Sequence, residues 1–512
     1  MTNAQHQDAP LNGAMLWFAA VMLAMANFIA VLDMTIANVS MPSIAGSLGI
    51  SASQGTWVIT SYSVAEAILV PLTGWLAGRF GAVRVFTTAM TMFGVFSALC
   101  GISTSLEMLV FGRIMQGLSG GSLMPLSQTL LLRVFPKERA PAAMALWAMT
   151  TLVAPVLGPI LGGSICDNLT WPFIFFINVP IALGCAPVIA RLLRRFETEK
   201  VKAPIDIVGL ILLIVFVGAL QIMLDIGKDH DWFASVEIRA LAAIALIGFL
   251  AFLMWELTDA NPIVDLRVFR HRGFTASVFT LSLGYGSMFG ANVLTPLWLQ
   301  SYMGYTSTWA GMTTAWSGVC AVLVAPIAGM LMGKKLDPRR LVFAGLAWIA
   351  FVTFLRTGLS NDVTYWQIAV PLVLMGIGLP LFFVPLTALA LGSVEERETA
   401  SGAGLQNFLR TMSGAITTSL VTTAWDDKTT YAHAELSGLT DRYGDSMRAL
   451  TGSGFSHDAA VSQINNMVQS QSVMIATNQL MMVVALAFLL AAFVIWLAPK
   501  PSRAVDMTQA GH

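Results

Sequence analysis

Charged side chains are scarce in this chain. Only 11% of its 512 residues are Asp, Glu, Lys or Arg, well under the share of about 25% usual in soluble domains. Acids and bases balance at 28 each, so no basic excess argues for a nucleic-acid partner. Cysteine is nearly absent as well. The four present, Cys100, Cys166, Cys185 and Cys320, each lie in or beside an apolar run, and none has a metal or disulfide spacing. The six histidines, His6, His230, His271, His433, His457 and His512, are scattered outside the apolar runs. No nucleotide-binding loop is present. An enzyme therefore finds neither its metal ligands nor its nucleophile here. No basic stretch precedes the first apolar run, so that run is expected to be retained rather than cleaved as a signal.

Apolar residues are what the chain has: 56% of the total, with a mean hydropathy of +0.73. A soluble fold of this size has no interior large enough to hide them, so the solvent must be lipid. A helix needs about 20 apolar residues to cross the hydrocarbon core. Fourteen segments qualify, near 14–37, 54–77, 83–103, 107–131, 140–164, 171–193, 205–225, 237–257, 273–298, 309–332, 340–359, 365–391, 402–424 and 474–497. With both termini in the cytoplasm, twenty Lys and Arg fall in inner loops and five in outer ones. That is the bias the positive-inside rule requires. The expectation is an all-α membrane protein with 14 transmembrane helices.

The chain also repeats itself. Pro42 before Gly49-Ile50-Ser51 and Trp57 recurs as Pro296 before Gly304-Tyr305-Thr306 and Trp309. The Gly74 to Arg84 loop recurs at Gly329 to Arg339, and Met124-Pro125-Leu126-Ser127 recurs as Val384-Pro385-Leu386-Thr387. Three matches in one order at nearly one offset imply two parallel six-helix units. The expected division is a cytoplasmic N-terminus (1–13), a first six-helix bundle (14–194), two inserted linker helices (205–257) and a second six-helix bundle (273–497). A long periplasmic loop (425–475) lies within the second bundle, with a helix-like stretch from His457 to Gln471 running into the last span, and a cytoplasmic tail (498–512) ends the chain.

Against this background each intramembrane polar residue needs a reason. Asp33 closes the first apolar run; it is either a group lining a cavity or a helix-end carboxylate in the headgroup layer. Glu66 lies mid-way along the second segment, at ~1.5 Å per residue ~18 Å from either surface. It reads as a proton carrier, a site for cations, or a permanently protonated, hydrogen-bonded acid. Arg113 lies about two turns inside the fourth segment and needs acceptors: backbone carbonyls, Gln116, or a carboxylate from the first or second helix. Arg410, with Gln406 and Asn407 one turn away, makes the same demand in the thirteenth. Arg356, near a helix end, reads as an interfacial anchor. Pro155, Gly158, Pro159 and Gly162 crowd the fifth segment, where Pro kinks a helix and Gly admits a close backbone. That composition suits either a plain kinked helix or one packed between the two halves.

These motifs together resemble the major facilitator superfamily, and within it the fourteen-helix drug/proton antiporters of the EmrB/QacA type, the EmrB branch above all. The residues that carry the resemblance are Leu32-Asp33-Met34-Thr35-Ile36-Ala37-Asn38-Val39 to Pro42, Gly74 to Gly81, Arg113 with Gln116-Gly117, and Ala154-Pro155 with Gly158-Pro159. Gly78 stands where the loop signature usually has Asp. The resemblance implies a major facilitator fold in the bacterial inner membrane and efflux of hydrophobic or amphipathic compounds by alternating access. A dedicated metabolite exporter or symporter is the alternative. The proton motive force would replace any cofactor. Asp33, Glu66 and Arg113 would couple protons, and Asp33, Glu66, Gln116, Gln406, Asn407 and Arg410 would line the substrate cavity. Gly74, Arg79, Gly81, Arg84, Pro155, Gly158, Pro159 and Gly162 would form the gate. With the loop Asp absent, Glu138 or Glu395 to Glu398 are offered as substitutes. The 425–475 segment would either cap the protein or meet an EmrA-like membrane-fusion adaptor leading to an outer-membrane channel.

Overall fold

The computed structural model describes residues 13–136, 140–198, 200, 204–227, 230–260, 262–333, 336–395, 398–438 and 443–500. The expected gate group Glu138, with Glu396 and Arg397, lies outside them, as do the 1–12 and 501–512 ends. Among the described residues the regular structure is helical. Lipid leaves a backbone no water to bond, so a crossing segment must satisfy itself. The first half comprises α1 (Gly13–Leu48), α2 (Trp57–Phe80), α3 (Ala82–Gly101), α4 (Leu106–Gly120), α5 (Leu123–Val134), α6 (Ala140–Asn168) and α7 (Asn178–Leu192). An inserted pair follows, α8 (Ile207–Ile226) and α9 (Val236–Thr258). The second half holds α10 (Arg272–Ser301), α11 (Ser307–Gly333), α12 (Pro338–Leu355), α13 (Tyr365–Leu391), α14 (Thr399–Gly438), α15 (Tyr443–Gly452) and α16 (His457–Val494).

Helix falls in each of the fourteen sequence segments, and among the described residues ten helical segments are long and apolar enough to cross a membrane. The fourth sequence segment is divided between α4 and α5, of 15 and 12 residues, each too short to cross alone. Hydroxyls in α10 bond back to their own turn. Ser277 Oγ donates to the Gly273 carbonyl (2.7 Å) and Thr295 Oγ1 to that of Ala291 (2.7 Å), so neither is orphaned in the core.

Three boundaries differ from the sequence reading. The fourth segment breaks at Gly121 and Ser122 into α4 and α5. The 425–475 segment is largely not loop: α14 runs on to Gly438 and α15 follows, while α16 begins at His457, as the helix-like stretch to Gln471 implies. The segment has no proline, and Ala, Leu, Met, Gln and Glu are interspersed among its polar residues, so the helices extend past their apolar parts. Arg356 is no interfacial anchor. It is 2% exposed and its Nη2 donates to Thr295 Oγ1 at 2.7 Å.

Each half has its own core. Leu23, Tyr62, Phe86, Phe93 and Leu130 fill the first; Trp298, Leu346, Phe382 and Phe488 fill the second. A third cluster joins α8 and α9 to the seam between the halves, with Leu213, Phe216 and Phe252 packed beside Ile68, Leu405 and Phe408.

Polar contacts between the halves concentrate at one end. There Gln300 Nε2 donates to the Val39 carbonyl (2.9 Å), and the Ser43 and Ser307 hydroxyls lie 3.3 Å apart. Asp167 accepts from the Ser307 and Thr308 amides that open α11 (3.0 and 2.7 Å). This is the closed end; the opposite end carries Arg79, Arg84, Arg133 and Arg270 and is here called the basic end.

Candidate functional site

The site is built on α1, α4 and α7. Asp33 is fully buried, three turns before the end of α1's unbroken stretch at Pro42. Its Oδ1 accepts from Gln116 Nε2 (2.9 Å) and Asn178 Nδ2 (2.7 Å), and its Oδ2 accepts from Arg113 Nη1. Arg113 is 1% exposed. Its Nε donates to the Val58 carbonyl (2.8 Å) and its Nη1 also to Gln116 Oε1 (2.8 Å). The Tyr62 ring lies 4.2 Å from the guanidinium carbon and Phe175 5.6 Å. Ser97 closes the ring of bonds, accepting from Gln116 and Asn178.

The acceptors expected for Arg113 are thus all present: a backbone carbonyl, Gln116 and a carboxylate from the first helix. Neither ion reaches a headgroup. Charges held this way are stable only while each has its partner, because the surroundings offer no water to replace it. α4 supplies Arg113 and Gln116 from one face, three residues apart. The packing beneath is close. A Cβ on Gly117 would strike the backbone of Tyr62 and Glu66, so α4 and α2 touch backbone to backbone there.

The other expected cavity residues form a separate group at the seam. Glu66 on α2 is 5% exposed, and its Oε2 has no partner among the described residues. Arg410 on α14 comes from the second half and is near enough to interact electrostatically with Glu66. It donates to the Met124 sulfur (3.7 Å) and lies over the Tyr285 ring (5.3 Å), while its Nε is unpartnered. Gln406 is buried with its Oε1 unsatisfied, and Asn407 is half-buried on the same helix. Asp33 and Gln116, by contrast, are enclosed within the first half.

The expected gate residues also divide. α6 lies between α1 and α11. A Cβ on Gly158 would overlap Thr35, and one on Gly162 would crowd Ile36. Gly163 meets the Ser307 backbone, and Gly311 of α11 meets the Pro159 carbonyl. Pro155 stands half-buried one turn before Pro159 in α6. This side of the seam is backbone against backbone, which only Gly permits.

Gly74, Arg79, Gly81 and Arg84 lie at the basic end, and the contacts seen for Gly81 and Arg84 stay within the first half. Gly81 has φ +100°, and a Cβ there would meet the Glu197 carboxylate. Glu197 Oε1 accepts from the Val83 amide (2.8 Å) and Oε2 from that of Arg84 (3.2 Å). Thr198 Oγ1 accepts from Ala82 N (2.8 Å). A carboxylate therefore does serve this loop despite Gly78, and it caps the start of α3, where negative charge is favoured. Glu395 and Glu398 instead bond Arg270 (3.1 and 2.6 Å). The His271 hydrogen bond, with Arg270 beside it, holds the Glu398 carboxyl below its ordinary range.

Sequence reasoning missed Ser97, Asn178, Tyr62 and Phe175. Asn178 carried a signal, a lone amide opening an apolar helix just before Pro180. Ser97 carried none, since one serine in an apolar helix is unremarkable.

Residues 23–418 match the family model described as Major Facilitator Superfamily. The multidrug export protein EmrB of Escherichia coli (strain K12) is 43% identical over 504 residues, covering 97% of this chain and 98% of that protein. The fatty acid resistance protein FarB of Neisseria gonorrhoeae is 42% identical, covering 96% and 98%. Among solved structures, a POT family transporter in complex with 5-aminolevulinic acid superposes with TM-score 0.64 at 15% identity, covering 97% and 98%. A bacterial homolog of the human lysosomal transporter Spinster, inward-facing and unoccupied, gives 0.62 at 13% identity, covering 96% and 100%. Fold and relatives together define a multi-pass membrane transporter rather than an enzyme. The chain belongs to the Major Facilitator Superfamily, with its kinship on the EmrB branch.

Proposed function

We propose that this protein is a proton-driven multidrug exporter of the inner membrane. In this reading it has fourteen crossings, both termini in the cytoplasm, and moves hydrophobic and amphipathic compounds outward by alternating access. The observation that carries the reading is the sealed Asp33–Arg113 pair, in a chain 43% identical to a multidrug export protein. An ion pair buried in lipid is retained where its charge is used.

The chemistry follows from the donors. As an anion, Asp33 offers two oxygens to three donors. Protonated, it loses its attraction for Arg113, whose guanidinium is left with the Val58 carbonyl, Gln116 and two ring faces. α1 and α4 then no longer prefer their present register. A proton and a drug that favour opposite states of this pair are coupled through it. Glu66 and Arg410, each with an unpartnered atom at the seam, supply the drug-facing polarity. The α14–α15–α16 extension faces the periplasm and meets a membrane-fusion adaptor.

The test is drug-induced proton release from proteoliposomes, alongside a susceptibility panel in an efflux-deficient host. Release by the parent, lost in Asp33→Asn at equal protein level, supports the reading. Equal release in both refutes the coupling role. Protection against a single compound class would favour the dedicated exporter instead.

A further inference from the structure

A second buried carboxyl group lies outside the site just described. Asp225 is near the end of α8, in the inserted pair, and is 6% exposed. Thr60 Oγ1 of α2, in the first half, donates to its Oδ2 at 2.9 Å. Ser419 Oγ of α14, in the second half, donates to its Oδ1. Gln221, one turn back on α8, donates through Nε2 both to Asp225 Oδ1 (2.9 Å) and to Ser419 Oγ (2.6 Å). All four side chains are at least nine-tenths buried. A single carboxyl thus holds a hydroxyl from each half, through an element belonging to neither.

The position in the seam is telling. Thr60 opens α2, Asp225 ends α8, and Ser419 is in the later part of α14, so the joint lies toward the closed end. The closed end's other cross-half bonds, from Gln300, Ser43 and Asp167, all sit on α1, α6, α10 and α11. On the α2–α14 side, the joint supplies the polar connection. The insert therefore completes the closure rather than merely linking the halves in sequence.

We propose that Asp225 is a positioning residue of the transport cycle: through Thr60 and Ser419 it ties both halves to α8, and so sets how readily the closed end opens. This rests on the alternating-access reading above. The bonds are short, buried and shared by three elements, so separating α2 from α14 must break at least one. An unsatisfied buried hydroxyl or carboxyl costs more than the bond itself contributes when made. The joint accordingly holds or releases as a unit.

The experiment reads opening directly. A variant carries Ser43→Cys at the closed end and keeps Cys100, which is fully buried, as a folding control; Cys166, Cys185 and Cys320 are replaced by Ser. Labelling of each thiol by a membrane-impermeant maleimide is followed by mass spectrometry. With Asp225→Asn or Asp225→Ala added, the rate at position 43 is expected to rise about threefold or more, as the closed population falls, while Cys100 stays protected. Thr60→Val and Ser419→Ala, each deleting one hydroxyl bond, are expected to shift the rate the same way. Rates within about 1.5-fold of the parent across all four would overturn the proposal. Should Cys100 also become labelled in the Asp225 variants, the two single-hydroxyl variants decide by the same criterion. The labelling ratio is independent of pumping, so a parent that releases no protons would sink the export reading without deciding the joint.

Discussion

Neutralising one partner of the Asp33–Arg113 pair should cost far more than neutralising both. Asp33→Asn preserves shape. Its amide can keep the oxygen toward Arg113 by turning its NH2 toward Asn178, whose Oδ1 has no partner among the described residues and can accept after a flip, while Gln116 Nε2 gives up its bond to this position and keeps that to Ser97. The geometry survives and the charge does not. Arg113 then sits 1% exposed with only neutral acceptors. Arg113→Gln leaves the converse, a fully buried carboxylate with two amide donors. Breaking a buried pair in this way costs about 3–5 kcal/mol, whereas replacing both partners is often close to neutral. Each single variant should therefore lose about 3 kcal/mol, roughly a hundredfold in the folded ratio, and the double variant less than either. Urea unfolding in detergent micelles, run as a double-mutant cycle, measures this. Additivity within about 0.5 kcal/mol, or single losses below about 1 kcal/mol, would refute the claim that the two charges depend on each other.

Glu66→Gln should narrow resistance to cationic compounds more than to neutral ones, because it removes a titratable carboxyl at the seam while leaving Arg410 in place; an unchanged profile in the susceptibility panel counts against that role. Gly311→Ala forces a methyl against the Pro159 carbonyl, an overpacking that should cost about 1–3 kcal/mol, read as a lower melting temperature and more closed-end labelling. A melting temperature equal to the parent's would mean the helices part there at no cost. Shortening the α14–α16 extension should abolish resistance in cells with an outer membrane yet leave transport in vesicles intact. Loss in both assays indicates misfolding, and loss in neither indicates a plain cap.

The helices were legible because lipid imposes one rule on them: each apolar run long enough to cross must satisfy its own backbone. Where helix continues without lipid was legible only in part. The polar stretch from His457 to Gln471 reads as helix running into the last span and is helix, whereas 425–438 reads as loop and is also helix, held by packing rather than by burial in hydrocarbon. The site was half legible. Asp33, Glu66 and Arg113 stood out because a charge in an apolar run is conspicuous on its own. Asn178 and Ser97 complete the same network but are inconspicuous, and their role depends on α7 packing against both α1 and α3. Arg356 shows the opposite error: near a helix end in sequence, it is buried in space because α12 packs against α13 and α16 and the side chain reaches Thr295 of α10. Asp225 carried a signal that went unused, a carboxylate ending one of the most apolar helices in the chain.

The two flanks of the seam differ in chemistry. Along the middle of α6 and α11 the halves meet through glycines and carbonyl groups, a dry contact whose energy is dispersion and falls off gradually as surfaces slide, and at the closed end the Asp167 carboxylate adds directional bonds from the Ser307 and Thr308 amides. Along α2 and α14 they meet partly through the carboxyl of Asp225, whose hydrogen bonds weaken steeply with angle and distance. A smooth contact can serve as a pivot; a joint of a few directional bonds can only hold or let go. Opening at the closed end therefore breaks directional bonds on both flanks, those of Gln300, Ser43 and Asp167 on one and those of Asp225 on the other, while the glycine contacts deeper along α6 and α11 can stay in touch as the halves rock.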